Sequence, residues 1–328
     1  MPGAGSSTDV EHVPAVSVIV PLYQSRDYVA AALDSVLAQT FDDLEVIVVD
    51  DGSTDGGGEI VEEYAAREPR VRYMRQENAG PAAARNTGIA AARGSAVAFV
   101  DSDDLWLPEK LARQLPLLRE DTVVHSDAFV LRNGGPVGEE RIGARFESGD
   151  AFGYLLRETP TAPLLTTLVR RELLLAHGCF DESLVGPEDY DLWLRLAAAG
   201  VRFEHVPEPL AVYRVRGDGL SADHVRISSG ILDVYGKLAA ASSGSRRRAV
   251  RRQARRQRRF LAFELWARGR RAIAAGDMAG GRPDLVRAVR TAPGWWKSWV
   301  LACLLVLPFA LRPVAVYMER LRGRDRPQ

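Results

Sequence analysis

Short apolar runs alternate with amphipathic stretches along the first hundred residues, and that alternation sets the expected architecture. Residues 16–21 (VSVIVP) are apolar and β-branched, a strand bounded by Pro14 and Pro21. In 28–39, Val29, Leu33, Val36 and Leu37 share one face at helical spacing. A second strand is predicted at 44–49 (LEVIVV), stopped by the turn-rich Asp50-Asp51-Gly52-Ser53-Thr54-Asp55. A helix over 58–66, a strand over 71–74, an Ala-rich helix over 80–93 and a fourth strand over 96–100 follow. Strands and helices alternating at this pitch imply right-handed βαβ units and a parallel sheet. Such sheets bind ligands at the carboxyl ends of their strands. Tyr23, Asp51 and Asp103 each lie just past a predicted strand end and are expected on one rim.

Beyond residue 121 the pattern is mixed. Short strands at 122–125, 165–169, 203–205 and 210–213 are interleaved with helices, the clearest over 187–199 with Leu192, Leu196 and Ala199 on one side. Residues 217–221 read as a mobile loop. The stretch 246–259 carries nine Arg in fourteen positions without Pro or Gly, a plausible helix with solvated charge. Residues 261–291 predict two amphipathic helices separated around 276–283, a single tetratricopeptide-like copy that establishes no repeat. The most apolar segment is 295–311 (WWKSWVLACLLVLPFAL).

The 328 residues are 46% hydrophobic and 26% charged, ordinary for a globular protein. Net charge is zero, but from Arg246 onward 21 Lys+Arg face 5 Asp+Glu, so an acidic body precedes a basic appendage. Three regions are expected: a disordered leader at 1–14, an α/β domain at 15–235 and a basic, amphipathic helical region at 246–328. Cys179 and Cys303 have no metal-ligand spacing, which favours a reducing compartment. No secretory signal pattern opens the chain. A cytoplasmic location is expected, peripheral on the inner face of the cell membrane if the basic tail binds lipid.

Chemistry concentrates where the fourth strand ends. Ala96-Val97-Ala98-Phe99-Val100 runs into Asp101-Ser102-Asp103-Asp104, three acids within four positions. Carboxylates crowded together need positive charge, and Mg²⁺ or Mn²⁺ carrying a diphosphate supplies it through oxygen ligands. The alternative is a solvated turn capping the next helix.

The wider motif set resembles the family 2 glycosyltransferases of the GT-A fold. It comprises Val18-Ile19-Val20-Pro21-Leu22-Tyr23, then 33–40 (LDSVLAQT), 45–55 (EVIVVDDGSTD), Asn78-Ala79-Gly80 and Ala84-Arg85-Asn86-Thr87-Gly88. Asp101-Ser102-Asp103-Asp104 and 187–193 (PEDYDLW) complete it, in order, over roughly 200 residues. The resemblance implies a Rossmann-like, mainly parallel mixed sheet flanked by helices, with a C-terminal helical extension. It also implies an inverting, metal-dependent transfer from a nucleoside-diphosphate sugar to a hydroxyl acceptor in polysaccharide or glycolipid assembly.

Residue roles follow from the same resemblance. Pro21, Tyr23 and Asp51 would hold the nucleobase, and Arg85, near a helix N-terminus, either the phosphate or an acid of the rim. Asp101 and Asp103 match the DxD motif: Asp103 on Mn²⁺ or Mg²⁺, Asp101 on the ribose or a metal-bound water. Asp189 matches the general base that takes the acceptor proton. Glu188 would share that role or orient the acceptor. Many relatives carry Tyr-Arg-x-His where this chain has Tyr213-Arg214-Val215-Arg216. Arg216 cannot ligate a cation but can pair with diphosphate; His224, off register, reads as a surface histidine.

The basic and apolar tail reads either as an interfacial element drawn to anionic lipid or as a helical hairpin packed on its own domain or on a second copy. Trp295, Trp296 and Trp299 suit a headgroup boundary, and the apolar run is short of a span of about 20 residues. No nucleic-acid motif accompanies the Arg run, so no nucleic-acid partner is expected. Two rival functions remain: a sugar-nucleotide-forming nucleotidyltransferase, which would want a Gly-rich loop after the first strand, and a catalytically silent membrane scaffold.

Overall fold

A computed structural model of the chain describes residues 12–132, 138–144, 150–158, 163–184, 186–216 and 223–294. The readings made for 1–11, 217–221 and 295–311 lie outside these residues. The chain divides into two compact units, Met1–Gly217 and Asp218–Gln328. The helix His224–Ala241 packs into the second unit's core through Val225.

The first unit opens with the βαβ series. It runs β1 Val16–Leu22, α1 Arg26–Leu37, β2 Leu44–Asp50, α2 Gly57–Arg67, β3 Val71–Arg75, α3 Pro81–Ala91 and β4 Ala96–Phe99. Then come β5 Leu105–Trp106, α4 Lys110–Gln114, β6 Thr122–Arg132, β7 Arg141–Ile142, α5 Ala151–Arg157, β8 Thr167–Arg170, α6 Arg171–Ala176, α7 Glu188–Ala198 and β9 Arg202–Val215. The sheet orders them β3-β2-β1-β4-β8-β6-β9-β5, with β7 beside β6. Strands β3, β2, β1 and β4 are parallel, β8 runs antiparallel between β4 and β6, and β6 pairs with β9 in parallel. This is the mixed α/β sheet expected for a GT-A fold.

β1 and β2 read as unbroken apolar runs because both faces of this sheet are covered; Val16, Val18, Ile19, Val20, Ile47 and Val48 are all fully buried. Helix α3 crosses β1 so closely that a Cβ on Gly88 would meet Ile19 Cγ2 at 2.5 Å. That contact explains the glycine of the Arg-Asn-Thr-Gly segment.

One expectation is corrected at β9. Two short strands at 203–205 and 210–213 merge into a single strand, and its pairing with β6 shifts register around Ser126 and Asp127. Pro207 and Pro209 sit at that irregularity. Proline has no N–H for a ladder, and bulges are where a strand tolerates it. Residues 164–166 likewise form a 3₁₀ turn ahead of β8 rather than strand.

The second unit contains α8 His224–Ala241, α9 Gly244–Ala274 and α10 Met278–Thr291. The Arg-rich stretch and the amphipathic stretch after it form one helix, α9, since no Pro interrupts 246–274 and Gly269 is accommodated by packing. Gly269 and Gly281 let α9 and α10 approach: a Cβ on Gly269 would lie 2.7 Å from the Gly281 carbonyl. Leu261, Leu265, Trp266, Ile273, Leu285 and Ala288 form the core between them.

Gly88→Ala is expected to destabilise the first unit by about 1–3 kcal/mol through overpacking against Ile19, read from chemical denaturation; an unchanged midpoint would contradict the close approach.

Candidate active site

The carboxyl ends of β1, β2 and β4 carry three loops whose polar residues are tied to one another. The Asp51 N–H donates to the Leu22 carbonyl at 2.8 Å, and Gln24 bonds the 53–54 backbone and side chains across the gap between the first two loops. Tyr23 stands at the end of β1 with half its surface exposed (51%). Pro21 is paired opposite Val49 within the sheet.

Asp51 is buried and holds the loop ahead of α3. Its Oδ1 accepts from Gln76 Nε2 (2.8 Å) and the Ala79 N–H (2.9 Å), and its Oδ2 from the Gly80 N–H (2.8 Å). Gly80 has φ of 91°, a conformation that favours glycine, so the loop turns into α3 there. Oδ2, with a single partner, keeps acceptor capacity toward the rim. Asp50 points the other way, accepting from the Ser53 N–H and the Tyr73 hydroxyl, each at 2.7 Å.

Arg85 pairs with acids of the rim. It is buried, and its two terminal nitrogens donate to Asp101 Oδ1 (2.7 Å) and Glu188 Oε1 (2.8 Å). The guanidinium also lies 5.7 Å from the Phe180 ring centroid. Burial by itself disfavours its charge, and the two carboxylates outweigh that, raising its pKa. One cation therefore joins the turn after β4 to the first turn of α7.

Glu188 is held from a second side by the Gly186 N–H at 2.9 Å. Asp189 beside it is half-buried and accepts from the Tyr190 N–H at 2.6 Å. Desolvation, then the Glu188 charge, push its carboxyl up to about 7. A carboxylate so placed is a stronger base than one in water.

The acid turn carries more negative charge than its neighbours balance. Asp103 Oδ2 lies 3.5 Å from Arg216 Nη1, and Asp104 Oδ1 accepts from the Arg214 N–H at 2.7 Å. Burial followed by the Asp101 charge raises the Asp103 pKa, and raises that of Asp104 well above the usual range. Asp104 Oδ2 is buried without a partner. Among the described residues no cluster of three or more His, Cys, Asp or Glu is arranged around an ion position. An all-oxygen set of one or two carboxylates suits a hard divalent cation whose other ligands are phosphate oxygens and water. The residues fit such an ion on that count.

Residues 17–176 match the model of glycosyl transferase family 2. This segment is a family 2 glycosyltransferase domain. An uncharacterized glycosyltransferase of Rickettsia felis is 35% identical over 190 residues, 58% of this chain and 31% of that protein. Chondroitin synthase of Escherichia coli is 33% identical over 204 residues, 61% of this chain and 29% of that enzyme. The chain thus spans about a third of the length of these relatives. Among solved structures, the mannosyltransferase PcManGT from Pyrobaculum calidifontis, in complex with GDP-Man and Mn²⁺, has a TM-score of 0.57 at 22% identity. That likeness covers 96% of this chain and 89% of the other. S. aureus TarS 1–349 in complex with UDP-GlcNAc has a TM-score of 0.56 at 21% identity, over 95% and 93% of the two chains. At these identities the likeness establishes the fold.

The family 2 glycosyltransferase domain also uses residues that sequence reasoning passed over. Tyr28 carries the guanidinium groups of Arg214 and Arg216 at 5.0 and 4.9 Å from its ring centroid. Its place in the first turn of α1, just past the β1 loop, was the available signal. The 33–40 motif braces the chain that follows the acid turn. The Trp106 N–H donates to Ser35 Oγ (3.1 Å), and Gln39 bonds the Leu107 carbonyl (2.7 Å) and the Leu111 N–H (3.0 Å). Asn86 bonds the Phe180 backbone in both directions, at 2.9 and 3.0 Å. His224, at the start of α8, is exposed.

A raised folded-state pKa makes the stability tied to the Asp189 proton complete below about pH 4 and lost as pH rises through about 7. Urea unfolding of the metal-free protein is expected to show stability falling over that window. Asp189→Asn should flatten part of the fall; an identical pH dependence in the variant would contradict the assignment.

Proposed function

We propose that this chain transfers a glycosyl group from a nucleoside-diphosphate sugar to a hydroxyl of a saccharide or lipid-linked acceptor, with inversion at the anomeric carbon. The reading is carried by one observation: Arg85 brings the acid turn after β4 and the Glu188–Asp189 pair onto the same rim. Cell-surface polysaccharide or glycolipid assembly is the setting we infer, supported by the likeness to chondroitin synthase. Residues 15–235 are proposed as the catalytic portion and 246–328 as an appended helical region. The enzyme would work in the cytoplasm, at the inner face of the membrane.

On the donor side, Pro21 and Tyr23 offer an edge and a ring for the base, and Asp51 Oδ2 accepts a hydrogen bond from it. Arg216, stacked on Tyr28, supplies charge for the diphosphate. Asp103, helped by Asp101, would hold Mn²⁺ or Mg²⁺; bound there, the ion provides Lewis-acid stabilisation of the departing diphosphate. The neighbours that bind GDP-Man with Mn²⁺ and UDP-GlcNAc support that chemistry.

On the acceptor side, Asp189 takes the hydroxyl proton as the oxygen attacks the anomeric carbon and the carbon–oxygen bond to the diphosphate breaks. A single displacement opposite the leaving group inverts the centre. Arg85 fixes Glu188 beside Asp189, and that neighbour, after burial, raises the basicity of Asp189. Asp189 must be ionised to act, so the rate rises as pH rises through its pKa.

In thermal-shift titrations with UDP-GlcNAc, GDP-mannose and related nucleotide sugars, the wild type should be stabilised by at least one donor only with Mn²⁺ or Mg²⁺. Asp103→Asn is expected to abolish that metal-dependent shift. Asp189→Asn should retain the shift yet lower transfer by about 10²–10⁴-fold. Undiminished turnover by Asp189→Asn would remove it as the base, and metal-replete protein releasing no nucleoside diphosphate from any donor would favour the scaffold reading.

A further inference from the structure

Helix α9 carries most of its exposed arginines on one side, with exposed Arg246 and Arg256 outside that arc. Arg248, Arg251, Arg252, Arg255, Arg258 and Arg259 are all exposed. At 3.6 residues per turn they fall within an arc of about 120° and extend along about 16 Å of axis. Val250 and Gln253, on the far side, are buried. Among the described residues no carboxylate pairs with any of the six, whereas Arg268 on the same helix is paired with Asp284 at 2.6 Å. Their spacing of three and four residues sets like charges against one another along the helix. Such a stripe is stabilised by an external array of anions.

Three observations choose among polyanions. The stripe is all arginine, whose planar fork suits phosphodiester oxygens. Exposed apolar residues occur in the same unit: Phe260, next after the stripe in sequence and about 100° round the helix from Arg259, is 49% exposed, and Val286 lies between exposed Arg282 and Arg290 on α10. The sequence beyond α10 is Trp- and Leu-rich over 295–311, a composition that suits a headgroup boundary, and no stacking aromatics are interleaved with the arginines as single-stranded nucleic acid would require.

We infer that the arginine face of α9 is a docking surface for the phosphate headgroups of an anionic lipid bilayer. It deepens the membrane setting proposed above and stands apart from the transfer chemistry. None of its residues belongs to the nucleotide or acceptor site. Binding through charge is lost within a Debye length and weakens with salt.

Sedimentation of the full chain with vesicles tests it. Binding is expected to vesicles containing phosphatidylglycerol, at least tenfold weaker to pure phosphatidylcholine, and to fall steeply between 0.1 and 0.5 M NaCl as the Debye length shrinks from about 10 Å to about 4 Å. Replacing Arg251, Arg255, Arg258 and Arg259 together by Gln should weaken it by about 10²–10³-fold. The four-Lys counterpart should restore most of it, with circular dichroism showing both variants helical. The inference is overturned by equal partition onto neutral and anionic vesicles, by unchanged binding of the Gln variant, or by binding of duplex or single-stranded nucleic acid with no binding to vesicles. Donor-dependent thermal shifts should be the same in the Gln variant and the wild type, so failure of the vesicle test leaves the transfer reading separately testable.

Discussion

A single buried guanidinium organises the rim. Arg85 leaves α3 and is gripped between Asp101, after β4, and Glu188, at the start of α7. Without it, buried Glu188, partly exposed Asp101 and the neighbouring Asp189 would face one another with no compensating charge, and an isolated buried charge is among the costliest things a fold can contain. The pair of acids also explains why the arginine stays ionised in a buried place. Its motif had left two readings, a phosphate ligand or a partner for an acid of the rim; in the fold both terminal nitrogens are taken by carboxylates, and the guanidinium groups of Arg214 and Arg216 approach the acid turn from the end of β9.

The acid turn is built to be short of positive charge. Arg214 and Arg216 approach it from β9, yet Asp103 and Asp104 remain harder to ionise than ordinary carboxylates, first from burial and then from their neighbour Asp101. Rigid bracing preserves this state. Ser35 on α1 and Gln39 just past its end bond the backbone that follows the turn, and the Trp106 indole donates to the Leu165 carbonyl at 2.9 Å. Crowded carboxylates on a braced loop cannot relax apart, so their mutual repulsion persists in the folded chain.

The two units show opposite electrostatic habits. In the first, most arginines are spent on named carboxylates or carbonyls, as with Arg72, Arg93 and Glu45 or Arg202 and Asp121. In the second, between 223 and 294, seventeen Lys and Arg face five Asp and Glu, so pairing is arithmetically limited. Arg268 takes Asp284, and the stripe on α9 is left to solvent. Hydrophobic contacts around Leu265 and Trp266 hold that helix in place despite the repulsion along it.

The alternation of apolar runs and helical spacing was sufficient for β1 to β4 and the helices between them, with ends displaced by at most two residues, because those elements are set by local period and bounded by Pro, Gly and Asp. The position of the acid turn at a strand end was legible for the same reason. Pattern failed where pairing overrides local signals: β9 crosses two prolines as one strand because β6 lines up beside it, and α9 continues past its expected end because Gly269 packs against α10. The partners of Arg85 lay beyond reading. They stand 16 and 103 residues away, and only the sheet order that places α7 beside the end of β4 brings them to one guanidinium. Sequence determined which chemical groups the rim holds, since those are properties of residues. Tertiary structure decided which of them neutralise one another and which stay available, since that depends on distances the chain sets only once it is folded.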